Sequence, residues 1–263
     1  MKIEDGFQKN LLVLAKLYNK LSLESDSEVL HKYRIAIRKM EAYLYAYGYL
    51  YEQKQKKKMQ KFLKKLLHPT SIIRDLDLFL IQIQQLSCDQ EAKITLYNTF
   101  YLKRKKLLNA LLRSKEHKKS FSKLRTLVNT QMYAVNDIEN ESAFRVLQIL
   151  YKKFLDEYAA IDKEGDFEEL HELRKELKLL RYASEFYYQH FTHSTDFLEK
   201  LDEFKVMQDL FGNLQDNVTR LKLIKSKKKK FTKKDYKFFQ GYYTTEIEKA
   251  KVELLKFLKK VIK

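Results

Sequence analysis

Residues 30–47 read LHKYRIAIRKMEAYLYAY, and residues 170–187 read LHELRKELKLLRYASEFY, the same pattern 140 positions later. Leu30/Leu170, His31/His171, Arg34/Arg174 and Tyr47/Tyr187 are identical, and Arg38/Lys178 keeps the charge. An offset of about half the chain predicts two homologous halves rather than a solenoid of short units. The shared residues are a histidine followed by cations at +3 and +7, the spacing of one helical face. Whatever the chain folds into must present that basic face twice.

Everything around the repeat reads as helix. One Pro and five Gly in 263 residues leave few interruptions, and a 44% hydrophobic fraction with 18 Tyr and 17 Phe rules out a disordered polycation. The expected spans are 5–22, 26–51, 53–67, 72–87, 90–113, 118–134, 141–164, 167–191, 196–211, 213–225 and 232–262. Pro69 is expected in a turn or first helical turn. VNDIENES (135–142) is the expected boundary between halves 1–135 and 136–263, and KSKKKKFTKK (225–234) a Lys-rich connector before a last long helix. Tyr43, Tyr45, Tyr47, Tyr49 and Tyr51 alternate with the period of a strand. Helix is preferred, because Tyr43, Tyr47 and Tyr51 are also four apart and extend the stripe Tyr33, Ile37, Met40, Leu44, Tyr47.

At about 100° per residue, His31, Arg34 and Arg38 share a stripe nearly opposite the apolar one. The second copy sets His171, Arg174, Lys178 and Arg181 against Leu173, Leu177 and Leu180. Two such cationic ladders facing one another across a pseudo-two-fold axis would enclose a basic groove. Arginine forks match phosphate oxygens bidentately, lysine adds point charge, and an anion favours the doubly donating imidazolium. A second echo supports duplication: SIIRDLD (71–77) aligns with GNLQDNV (212–218), pairing Ile73 with Leu214 and Asp75 with Asp216. Arg74, replaced by Gln215 in the second copy, is assigned to ligand binding. Asp75 and Asp216 are expected to orient a neighbouring His or Arg, or else to be first-turn helix carboxylates.

Net charge is +18, unevenly spread: +15 over residues 1–135, −7 over 136–224 and +10 over 225–263. Such an excess points to a polyanionic partner, whether nucleic acid, anionic membrane or polyphosphate. No apolar run is long enough to span a membrane. The opening MKIEDGFQKN is not a signal peptide, and the lone Cys88 fits a reducing compartment, so the expectation is cytoplasmic.

The segments His31-Lys-Tyr-Arg34-x3-Arg38, Arg74-Asp75-Leu-Asp77, His171-Glu-Leu-Arg174-x3-Lys178-x2-Arg181 and Gln208-Asp209-Leu-Phe-Gly212 leading to Asp216, in this order, resemble the CHAD family of conserved-histidine α-helical domains. The resemblance covers nearly the whole chain. It implies a single all-α domain over 1–263, built of two helical-bundle halves related by pseudo-two-fold symmetry, with long antiparallel helices. It also implies a basic central cavity that binds inorganic polyphosphate, in some settings at polyphosphate granules. Members often accompany a triphosphate-tunnel (CYTH) catalytic domain. Its Glu-x-Glu-x-Lys strand is absent here, so a stand-alone member is expected. His31, Arg34, Arg38, Arg74, His171, Arg174, Lys178 and Arg181 would carry binding, flanked by Lys39 and Lys175, with no cofactor and no catalysis. Glu41 stands where the second repeat has Arg181, which weakens the first ladder. The acidic 136–224 segment leans binding toward the N-terminal half.

Rival readings exist. Glu28-x-x-His31 and Glu168-x-x-His171 have the spacing of di-iron bundle ligands. However, Ser25-x-x-Glu28 and Asp166-Phe-Glu168-Glu169 explain those glutamates as helix starts, and cations at +3 and +7 oppose a dication. A phosphohistidine relay on His31 or His171 is a further alternative. Lys56–Lys58, Lys103-Arg104-Lys105-Lys106 and Lys227–Lys230 could contact nucleic-acid backbones, so non-specific RNA binding is the main competitor. No role is assigned to His68, His117, His190 or His193.

Overall fold

The computed structural model describes residues 3–24, 26–131, 139–161 and 165–262. They form α1 (Ile3–Lys20), α2 (Ser27–Tyr47), α3 (Gln53–Leu67), α4 (Ser71–Gln85), α5 (Gln90–Arg113), α6 (Lys115–Gln131), α7 (Asn140–Ala160), α8 (Phe167–Phe191), α9 (Thr195–Ser226) and α10 (Lys233–Val261). No strand occurs among the described residues. The helices start where the chain supplies acceptors for orphan amides. Asp26 accepts from the Glu28 amide at 3.0 Å, Asp89 caps α5, Thr232 caps α10, and Asp166 with Glu169 forms a full capping box on α8. The cap of α2 is thus Asp26, while the expected Ser25 lies outside the described residues. Pro69 sits in a 3-10 turn, His68–Thr70, joining α3 to α4.

Two expectations are corrected. α2 ends at Tyr47 and passes into a short 3-10 turn, Gly48–Leu50, instead of running to residue 51. Tyr43, Tyr47 and Tyr51 are buried while Tyr45 and Tyr49 are exposed, a four-residue rhythm and not a strand's two. The predicted break at Gly212 does not occur, and α9 runs unbroken through it. A mid-helix glycine costs only about 1 kcal/mol, which long-range packing overrides. Of the expected boundary 135–142, residues 135–138 lie outside the described residues.

The apolar faces of the two repeats meet. Tyr33, Ile37, Met40, Leu44 and Tyr47 of α2 are fully buried, as are Leu173, Leu177 and Leu180 of α8. α2 packs on α8, and Phe186 lies 4.9 Å from Tyr43 and 5.2 Å from Tyr47 between ring centroids. This main core also draws on α1, α3, α6, α7, α9 and the end of α10. A second core joins Leu76, Phe79 and Ile83 of α4 and Leu96 and Phe100 of α5 to Ile224 of α9 and Phe239 and Tyr243 of α10. Cys88 packs against it. Both cores therefore draw on segments from either side of residue 135. His117 is buried, hydrogen-bonded to Tyr33 Oη at 3.0 Å, and burial pushes its pKa down to about 4, so it is a neutral core histidine.

The run Lys103-Arg104-Lys105-Lys106 is not a uniform surface strip. Arg104 Nε lies 2.6 Å from Asp77 Oδ1, with side chains 12% and 2% exposed. Arg104→Ala, which strands a buried carboxylate, should cost about 3–5 kcal/mol. Lys105→Ala and Lys106→Ala should change stability by no more than about 0.5 kcal/mol. Urea midpoints of the three variants check this, and equal midpoints would contradict it.

Candidate functional site

α2 and α8 pack side by side with their apolar stripes in the main core, α4 packs on α2, α9 packs on α8, and α4 and α9 meet. The four helices enclose a cavity of about 640 Å³. α2 lines it with His31, Arg34 and Arg38, α4 with Arg74 and Asp75, and α8 with His171, Arg174 and Lys178. α9 adds Gln208, Asp209, Asn213, Gln215, Asp216 and Thr219. Gly212 also lines it, and a Cβ there would meet nothing within 4 Å, so the glycine leaves open room in the wall.

Three of the expected cations lie elsewhere. Arg181 has nearly the right angle on α8 but sits ten residues beyond His171, about 15 Å along the axis. Its Nε donates to Gln208 Oε1 at 2.8 Å, it pairs with Glu185, and its guanidinium lies 4.3 Å from the Tyr182 ring centre. Tyr182, not Arg181, faces the cavity. Lys39 leans the other way, 3.4 Å from Glu185 Oε2, and lines a separate groove with Lys9, Lys16 and Lys32. Lys175 is exposed and pairs with Glu172 at 2.6 Å. Glu185 therefore engages two expected ligand cations, and nothing in local spacing signals that.

The α3–α4 turn positions Arg34. Its Nη1 donates to Thr70 Oγ1 at 2.6 Å, Ser71 Oγ at 3.2 Å and the Leu67 carbonyl at 3.4 Å. Burial, then the charges of Arg38 and Arg74, push its pKa down to about 10, still charged at neutral pH. Arg38 holds Glu41 at 2.9 Å. Arg174 is depressed by burial and by Arg38 from the other repeat, and its buried Nε has no hydrogen-bond partner. Lys178 feels the crowding most. Burial first, then Arg174, Arg38 and Arg34, push its pKa down to about 6, with Asp216 only partly opposing. His31 is lowered by burial and by Arg74. The two ladders are thus close enough to repel one another across one space.

The carboxylates only partly relieve this. Burial raises both Asp75 and Asp216. Asp216 Oδ2 lies 3.8 Å from Arg220, a cation missed in the sequence although it stands one turn along the same helix. His171 is oriented by Gln215, not by an aspartate: its Nδ1 donates to Gln215 Oε1 at 3.0 Å. Gln208 and Asn213 stand in the quoted motifs without an assigned role, because neutral amides carry no charge pattern.

This geometry now meets the comparisons. A family model for the CHAD domain matches residues 8–225. The chain belongs to the CHAD family. The crystal structure of the CHAD domain from the plant Ricinus communis is similar, with a TM-score of 0.78 and 18% identity, covering 96% of this chain and 89% of that one. PptA from Streptomyces chartreusis gives a TM-score of 0.73 and 12% identity, covering 96% of each chain. At these identities the two show a shared all-α fold. No curated protein matches the sequence. The family match stops at residue 225, so α10 of this CHAD protein lies beyond it, although α10 closes the second core.

Lys178 sets a pH signature for the CHAD fold here. A lysine whose folded pKa is depressed destabilises the folded state. That penalty is complete below about pH 6, shrinks as pH rises, and vanishes above the unfolded lysine value of about 10.4. Lys178→Met should therefore melt at a higher temperature than the parent near neutral pH, with the gap closing toward pH 10. Paired melting curves across that range check this; a gap independent of pH would mean that packing, not charge, set it.

Proposed function

We propose that this CHAD protein binds inorganic polyphosphate in the cavity between α2, α4, α8 and α9, as a binding module and not a catalyst. One observation carries the reading: Arg34, Arg38 and Arg174 crowd around buried Lys178 with too little carboxylate to neutralise them, and burial together with these charges pushes its pKa down to about 6, so a polyanion relieves a repulsion already built in. A chain of phosphates offers an acceptor at every step and needs no base readout. His31, Arg34, Arg38, Arg74, His171, Arg174 and Lys178 supply the contacts, while Asp75 and Asp216 keep the cations apart and aimed. The family resemblance implies the same ligand class. It also suggests association with polyphosphate granules in a cytoplasmic setting.

RNA is the competing ligand, favoured by the exposed lysines of α3 and α6. RNA binding gains from stacking bases on aromatic rings. Among the described residues the cavity lining offers Tyr182 alone, itself buried and capped by Arg181. A competition titration of labelled long-chain polyphosphate against single-stranded RNA of matched charge, at about 0.15 M salt, separates the two. Polyphosphate should win by well over tenfold; equal competition would make the cations part of a diffuse basic surface. Arg74→Ala with Arg174→Ala is the sharper variant, since Arg34 also ties down the α3–α4 turn. Losing two charge-assisted contacts at about 1.5–3 kcal/mol each should weaken binding by at least 100-fold.

Binding should also draw in protons. Lys178 is largely neutral at pH 7 in the free protein, and a bound polyanion raises its pKa. Affinity should then rise as pH falls toward about 6 and level off below it. Calorimetry in buffers of different ionisation enthalpy should report proton uptake, reduced in Lys178→Met. No uptake would remove Lys178 from the contacts.

A further inference from the structure

Beside the phosphate cavity lies a second one of about 320 Å³, within the range of ordinary small-ligand pockets. The two share His171, Arg174 and Gln215, so they meet across those side chains. The second mixes apolar side chains, Phe167 of α8 and Phe211, Leu214 and Val218 of α9, with the charged Glu168 and Lys222. Phosphate gains nothing from apolar walls and loses hydration against them. The mixed lining suits an organic group, part apolar and part polar, carried on the phosphates.

The group is flat by the same reasoning. Phe167, the first residue of α8 and fixed there by the Asp166 cap, is 45% exposed at the cavity's edge, an aromatic ring left to solvent. Lys251 Nζ stands 5.8 Å from its centre. Glu168 and Lys222 sit at the same rim, where a carboxylate can accept from hydroxyl or amino groups.

The two repeats differ at this corner. Phe167 aligns with Ser27, Gln215 with Arg74 and Val218 with Asp77. In the first repeat Asp77 holds Arg104 at 2.6 Å. In the second Phe167 and Val218 line an open cavity. A bare polyanion, alike at both ends, requires no such difference.

We propose that the second cavity seats the nucleoside of a nucleoside 5′-oligophosphate whose phosphates lie on Arg174 and the cations beyond it. This rests on the reading of the larger cavity as a phosphate site. The base stacks on Phe167, Phe211 and Leu214 form the floor, and Glu168 takes the ribose or amino-group hydrogen bonds.

The test compares ATP with inorganic tripolyphosphate by calorimetry, without divalent cations, on the parent, Phe167→Ala and Val218→Phe, which fills the second cavity without adding charge. Stacking adds about 1–3 kcal/mol, so ATP should bind the parent at least about fivefold more tightly than tripolyphosphate. Both variants should remove that advantage and leave tripolyphosphate affinity unchanged. Phe167→Ala changes an exposed ring, and unchanged tripolyphosphate binding would itself show that the variant is folded. Equal affinities in the parent, or equal losses for both ligands in the variants, would overturn the nucleoside site while leaving the phosphate site standing. ATP binding without tripolyphosphate binding would do the reverse, and binding of neither would overturn both.

Discussion

Like charges held at close quarters are what the rest of this structure must accommodate. Arg34 and Arg38 from α2 face Arg174 and Lys178 from α8 across one partly enclosed space, and burial strengthens every repulsion among them. Such an arrangement cannot be a source of stability. It persists because the apolar faces of the same two helices are fully buried in the main core. The side chains that make the site costly and those that offset the cost alternate along α2 and α8, so neither face could change alone.

The supporting walls follow from that constraint. α4 and α9 bring Asp75 and Asp216, which moderate the repulsion without cancelling it, since burial raises both carboxylates as well. Stronger neutralisation would cost the site its attraction for an anion. Away from the cavity the fold pairs Arg104 with Asp77 and sets Arg181 and Lys39 on Glu185, while inside it Arg38 holds Glu41. Carboxylate placement, more than cation placement, decides which basic residues remain available. α10 contributes no cavity residue, yet Phe239 and Tyr243 complete the core that holds α4 beside α9.

The helical class, the two apolar stripes and the cations of the His-x-x-Arg-x-x-x-Arg/Lys faces were legible because helical period is a local property that survives tertiary folding. The same reading placed Arg181 on the ladder, because angle is local, and missed Glu185 and Gln208, because their partnership with Arg181 depends on how α8 meets α9. Gly212 misled for the complementary reason: local propensity ends a helix there, while packing on both sides carries α9 through. Arg104 looked like one more surface lysine-run cation until α5 was set against α4. What stayed hidden was in each case a pairing between elements far apart in the chain.

Divergence between the repeats then acquires a physical meaning. Of the positions facing the shared cavity, Arg34/Arg174 and Arg38/Lys178 keep a cationic side chain, while Arg74 has Gln215 as its counterpart. Positions at the outer corners differ in polarity: Asp77 holds Arg104 at one corner, and Phe167 and Val218 line the open cavity at the other. Two equal ladders would give a phosphate chain no preferred direction, and Arg74 against Gln215 already makes them unequal. Unequal corners add to that difference. A ligand with one organic end and one phosphate end then has a single favourable orientation, set by where its apolar surface can leave water. Under the proposed reading, the two cationic faces supply the charge, and the difference between Asp77 and Val218 at one corner supplies the means to tell one end of a ligand from the other.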